Sequence, residues 1–204
     1  VSVLRFREHG ADCFGESMSF PRRRLLGQTG LSVSPLGIGS SYGVGAAPIE
    51  AAYHEQGINM MYWGSVRRPG MKRAIRNLKA HREDLVIVLQ SYDRSGLMLP
   101  IFHKKGLREL QVDYADLLLL GWYNSDPPKR IVEQALALKE AGLVRHIAIS
   151  GHHRPYQGEL MAREDSPFDV VMTRYNAAHP GAEQDIFPRI PEQRRGLMAY
   201  TATC

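Results

Sequence analysis

Residues 115–150, ADLLLLGWYNSDPPKRIVEQALALKEAGLVRHIAIS, spell out one complete strand–helix–strand unit. Leu117-Leu118-Leu119-Leu120 is a short continuous apolar run, as in a strand buried on both faces of a helix-covered parallel sheet. Asp126 before Pro127-Pro128 supplies an N-cap and a first-turn proline, and Ile131, Ala135 and Leu138 then share one helical face. Gly142 stands where a helix ends on a left-handed residue, and a second apolar strand follows at 146–150. Parallel neighbours need a crossover, and the helix between these two strands provides it.

Outward from this unit the pattern repeats. Strands are predicted at 35–39, 58–63, 85–91, 116–122, 146–150, 168–176 and 196–201. Between them, one helix opens at Pro48 and closes at Gly57, and another carries Met71, Ile75 and Leu78 at i, i+4 and i+7. A third, over 100–110, is interrupted by Gly106, and the one after Arg154 is short and polar. Residues 24–26 and 31–33 read as a hairpin turning at 27–30. Alternating strands and helices make this an α/β chain, built either as a doubly wound sheet or as a (β/α)₈ barrel. The nucleotide-binding open sheet asks for Gly-x-Gly-x-x-Gly after its first strand, whereas Gly37-Ile38-Gly39-Ser40-Ser41-Tyr42 lacks the third glycine. A hairpin before the first strand also suits a plug under a barrel. The expectation is an incomplete TIM barrel of about seven strands, opened by an N-terminal β-hairpin.

With 204 residues, 44% of them hydrophobic and 23% charged, the chain fits one globular domain. Residues 1–21 carry no period and are expected to be a poorly ordered extension, with Met18 a plausible start. The domain is expected over 22–204 and reads as truncated in its seventh strand, which runs to the last residues. No apolar run approaches the roughly 20 residues of a membrane-spanning helix, and no hydrophobic leader opens the sequence. The net charge of +5 is spread over short groups such as Arg22-Arg23-Arg24 and Lys104-Lys105, so no nucleic-acid stripe forms. Cys13 and Cys204 build no disulfide framework and point to a cytoplasmic protein.

Several segments, in order, resemble the aldo/keto reductase superfamily. Residues 23–39 (RRLLGQTGLSVSPLGIG) are similar to its opening hairpin and first strand, and Gly57-Ile58-Asn59 to its second. Val112-Asp113-Tyr114-Ala115-Asp116-Leu117-Leu118 resembles the fourth strand and Gly142-Leu143-Val144-Arg145-His146-Ile147-Ala148-Ile149-Ser150 the fifth. Phe168-Asp169-Val170-Val171 through Tyr175-Asn176 resembles the sixth, and Ala199-Tyr200 the seventh. The resemblance implies carbonyl reduction by NADP(H), assisted by an aspartate, a tyrosine, a lysine and a histidine at strand ends. At the matching positions stand Tyr62, Arg67, Gln90 and Gly121, so all four are replaced. Tyr62 as proton donor with Arg67 lowering its pKa is the candidate left for catalysis.

The resemblance implies cofactor contacts at Ser150, beside the carboxamide, and at Tyr200, stacked under the nicotinamide. It also sets Gly151 where an asparagine is usual and Met172 where a glutamine is expected. Trp63, Trp122 and His152 are the candidate pocket residues, and Tyr62, Arg67, Gln90, Gly121, Ser150, His152, Asn176 and Tyr200 should gather at the C-terminal ends of the strands. His152, His153 and His179 lack the carboxylate or thiolate company of a metal site, and Ser150 lies in no nucleophile elbow. The function expected is thus an aldo/keto-reductase-like oxidoreductase that is inactive in this form, taking a small carbonyl substrate if active. The alternative is a non-catalytic barrel that binds a small anion or a protein partner. Open sheet edges should make the chain oligomerise or aggregate.

Overall fold

A computed structural model of the chain describes residues 22–64, 67–190 and 195–201. The extension expected over 1–21 lies outside the described residues. A two-stranded antiparallel hairpin, β1 (Arg24–Leu25) and β2 (Ser32–Val33), leads in. Seven strands follow: β3 (Gly37–Gly39), β4 (Met60–Trp63), β5 (Val86–Ser91), β6 (Ala115–Leu120), β7 (Val144–Ser150), β8 (Val170–Arg174) and β9 (Gly196–Tyr200). They pair in parallel, each with the next in sequence, so β3 and β9 are the edges of one sheet. The helices between them are α1 (Ala46–Gln56), α2 (Pro69–Asn77), α3 (Leu99–Leu110), α4 (Lys129–Glu140), α5 (Arg154–Ala162) and the short α6 (Ala182–Asp185). The expected incomplete barrel with its hairpin is what the chain forms.

Period-two alternation sorts the strand residues into two cores. Met61, Trp63, Ile87, Leu89, Leu118, Leu120, Ile147, Ile149 and Val171 face the helices. Met60, Val86, Val88, Leu117, Leu119, Ala148, Val170 and Met198 face inward, and Leu26, Leu31 and Val33 of the hairpin join them. The hairpin therefore plugs the floor. Gly196 lets it in, because a Cβ there would stand 2.7 Å from Leu26 Cγ.

Polar groups fasten the floor. Asn59, almost fully buried, accepts the Ser34 amide at 2.8 Å and donates to the carbonyls of Ser32 (2.9 Å) and Asp84 (2.8 Å). That is why an asparagine follows Gly57-Ile58: it ties hairpin to barrel. Asp169 accepts Lys139 Nζ at 2.8 Å and the Ile147 amide at 2.9 Å, joining α4, β7 and the start of β8.

Two local expectations change. The helix over 129–140 begins after Pro128 with no side-chain cap, because Asp126 instead takes the Tyr156 hydroxyl and Arg163 Nη1, each at 2.9 Å. The segment interrupted by Gly106 is a continuous helix, α3, since Gly106 is buried against the sheet and burial outweighs its poor propensity.

Candidate functional site

The mouth is built from residues at the C-terminal ends of the strands. Tyr62, Gln90, Ser150, Arg174 and Tyr200 continue the inward-facing alternation of β4, β5, β7, β8 and β9. From there an aromatic arc runs along the rim. Tyr92 meets Trp122 with ring centroids 4.9 Å apart, Trp122 meets His152 at 6.4 Å, and His152 meets Tyr200 edge-on at 6.0 Å. Tyr62 stands next to the arc, close enough to Tyr92 for that second phenol to act on its acidity.

Trp122 has a left-handed backbone with φ of 62°, a conformation an aromatic residue rarely keeps unless its surroundings fix it. Its amide donates to Ser150 Oγ and its carbonyl accepts Arg94 Nη2, both at 3.4 Å. The effect is an indole 60% exposed on the rim. Tyr200 Oη lies 2.8 Å from His152 Nδ1 and 3.3 Å from the Gly151 carbonyl oxygen. Its phenol has one hydrogen, so it serves one of these at a time. Burial raises the Tyr200 pKa, against the opposing pull of Arg174 and Arg154.

The centre of the mouth is crowded at Gly121. A Cβ on that residue would stand 2.4 Å from Gln90 Nε2 and 2.8 Å from the Tyr92 ring. Tyr62 sits beside them, its phenol pushed far up by burial first and by Tyr92 second.

Residues 71–203 match the model of the aldo/keto reductase family. The chain belongs to the aldo/keto reductase family. A protein from Pseudomonas aeruginosa described as an aldo-keto reductase has a crystal structure that superposes with a TM-score of 0.72 at 24% identity, covering 88% of this chain and 77% of that one. An aldo/keto reductase from Klebsiella pneumoniae, solved with NADP and acetate, gives 0.71 at 21% identity, covering 88% of this chain and 68% of that one. These likenesses concern the fold. No curated protein sequence matches significantly.

Against the reductase pattern, the structure brings Tyr62, Gln90 and Gly121 together at the mouth, with Ser150, Trp122, His152 and Tyr200 along its far side. It does not bring in Trp63. That side chain, expected in the pocket, faces the helices at 3% exposure because one step along a strand reverses the face. Arg67 lies in the turn before α2 and is exposed, and it is not among the groups that set the acidity of Tyr62. The pairing of Tyr62 with a pKa-lowering Arg67 is therefore corrected: this phenol holds its proton more tightly than a free one.

Two mouth residues escaped the sequence reading. Tyr92 lies two positions beyond Gln90, and Arg174 two beyond Met172, so alternation alone would have placed both. Arg174 Nε is buried with no hydrogen-bond partner among the described residues.

Proposed function

We propose that this aldo/keto reductase barrel binds the nicotinamide end of NADP(H) at its mouth but does not reduce carbonyls by the family's route. The crowding at Gly121 carries the proposal: Gln90 and Tyr92 occupy the space where a proton-delivering side chain would reach a substrate. Fit to the cofactor is tested by the side chains themselves. Ser150 is buried at the end of β7, with only a 3.4 Å contact on its oxygen, which leaves its hydroxyl hydrogen to donate to a carboxamide. Tyr200 offers a partly exposed ring at the end of β9 for stacking. Asn176 is already engaged, donating to the Thr201 carbonyl at 2.8 Å with its oxygen 3.1 Å from His179 Nδ1. The redox end of the cofactor therefore has a serine and a ring to hold it.

When bound, the nicotinamide supplies a hydride. The chain's own part is to orient the ring on Tyr200 and exclude water with the arc of Tyr92, Trp122 and His152. Tyr62 keeps its proton instead of delivering it, since neither a cation nor a carboxylate tunes it. The NADP complex of the Klebsiella structure and the shared family support the choice of cofactor. A reducing, cytoplasmic setting suits the two distant cysteines of the sequence.

A fluorescence titration with NADPH tests both halves. Saturable binding that is lost on Tyr200→Ala, with no carbonyl-dependent NADPH oxidation, is the expected result. Substrate-dependent oxidation abolished by Tyr62→Phe would overturn it and make Tyr62 the acid.

Arg174 favours a second reading, a small anion bound in the mouth. Its guanidinium faces inward, with Nε buried and without a partner among the described residues, and Arg cations pair well with carboxylates. Carboxylate binding that is lost on Arg174→Gln and insensitive to Tyr200→Ala would favour the anion over the nicotinamide.

A further inference from the structure

On the helix side of the sheet, the ends of β4 and β5 part from α3 around a cleft of about 410 Å³, a volume within the range of small-molecule pockets. Trp63, Leu89, Leu118 and Phe102 give it apolar walls. Gly106 of α3 keeps it open: even a Cβ there would touch Leu89 Cδ1 at 3.4 Å and Trp63 Cζ3 at 3.6 Å, so any larger side chain projects into the space. Phe102 is 54% exposed, an apolar ring that nothing among the described residues covers.

The polar groups of the cleft are ordered by depth. His103 is 4% exposed and donates its Nε2 hydrogen to the Leu143 carbonyl at 3.0 Å, so its Nδ1 is left as a lone-pair acceptor. That Nδ1 is buried with no partner among the described residues. Burial disfavours the charged imidazolium, with the Leu143 hydrogen bond opposing, and the net effect keeps the ring neutral. Lys105, by contrast, is exposed and contributes its cation at the outer edge. A buried acceptor without a donor is an uncompensated desolvation, which a ligand hydroxyl would relieve.

We propose that this cleft is a second binding site, for a flat aromatic hydroxy acid whose hydroxyl enters toward His103 and whose carboxylate stays at Lys105. The ring lies between Trp63 and Phe102. The site is separate from the mouth, since Trp63, Leu89 and Leu118 belong to the helix-facing core.

The probe is 4-hydroxyphenylacetate, titrated calorimetrically into the whole chain, with ¹⁵N-histidine spectra recorded on the same samples. Saturable binding is expected, about tenfold weaker for phenylacetate, which lacks the hydroxyl, and about tenfold weaker for 4-hydroxyphenylethanol, which lacks the carboxylate. Lys105→Gln should weaken the acid and leave the alcohol unchanged, and Gly106→Leu should abolish binding of both. The His103 Nδ1 resonance of the unaltered chain should move upfield on saturation as it accepts a hydrogen bond, a readout that needs no variant to fold. Tyr200→Ala should leave acid binding intact while removing NADPH binding, which separates this site from the mouth. Equal affinity for phenylacetate, an unmoved His103 resonance with the acid bound, or no saturable binding overturns the proposal.

Discussion

A methyl group on Gly121 has nowhere to go while Gln90 and Tyr92 hold their places. Gly121→Ala should therefore cost about 1–2 kcal/mol in urea unfolding, an overpacking penalty. In a Gln90→Ala background the same change should cost less, because only the Tyr92 ring then stands in its way and contacting residues are not additive. Equal costs in both backgrounds would mean that Gln90 does not fill this space. Residue identity was legible here: the positions of Tyr62, Gln90 and Gly121 follow from the strand motifs, and alternation aims them inward. Trp63 shows the limit, since it stands beside Tyr62 in sequence and on the opposite face in space. Arg67 shows another, because a turn has no fixed period from which to read a direction.

Elements are held by a few buried polar groups whose partners lie far away in sequence. Asn59→Ala removes three hydrogen bonds and strands the Ser34 amide, so it should cost about 3 kcal/mol by urea titration and loosen the hairpin. Asp169 has the opposite electrostatic character to Tyr62. Burial pushes its pKa up, but His146, Lys139 and the Ile147 amide outweigh that and bring it down to about 2. A carboxylate depressed on folding stabilises above its unfolded pKa, near 3.9, and loses that contribution as pH falls through its folded value. Asp169→Asn should thus cost roughly 2 kcal/mol at pH 7, with the gap to the unaltered chain closing between about pH 4 and pH 2. A gap that stays constant over that window would show that shape, not charge, is what Asp169 contributes. Helix existence was legible from apolar spacing. The cap at Asp126 was not, because its carboxylate answers to Tyr156 and Arg163, some 30 residues onward.

At the scale of the whole molecule, the sheet has an inner core, an outer core and two edges, β3 and β9, that pair with no further strand among the described residues. The inner core is closed from below by the hairpin and the outer one by the helices, while hydrogen bonding along the outer sides of β3 and β9 is not completed among the described residues. Six βα periods and a final strand were enough to read this architecture from the sequence, since each strand needs the next to cover its amides. The edges differ in what they offer a second chain. β3 is three residues with glycine at both ends, whereas β9 is five residues with Leu197 half-buried and Ala199 exposed, the longer template for pairing. Self-association through β9 is therefore the expected behaviour in solution, and a charge placed on that strand should oppose it, because a lysine cannot be buried against an apolar neighbour without desolvation. Ala199→Lys alters an exposed position, so it should leave the thermal transition within a few degrees of the unaltered chain. In sedimentation velocity the unaltered chain should populate dimers or larger species that decline on this substitution. Monomers at every concentration before the substitution would show that the β9 edge is closed to partners in solution, and association that persists after it would move the contact to another surface, with the apolar stretch of Leu97, Met98, Ile101 and Phe102 on and before α3 the first to substitute.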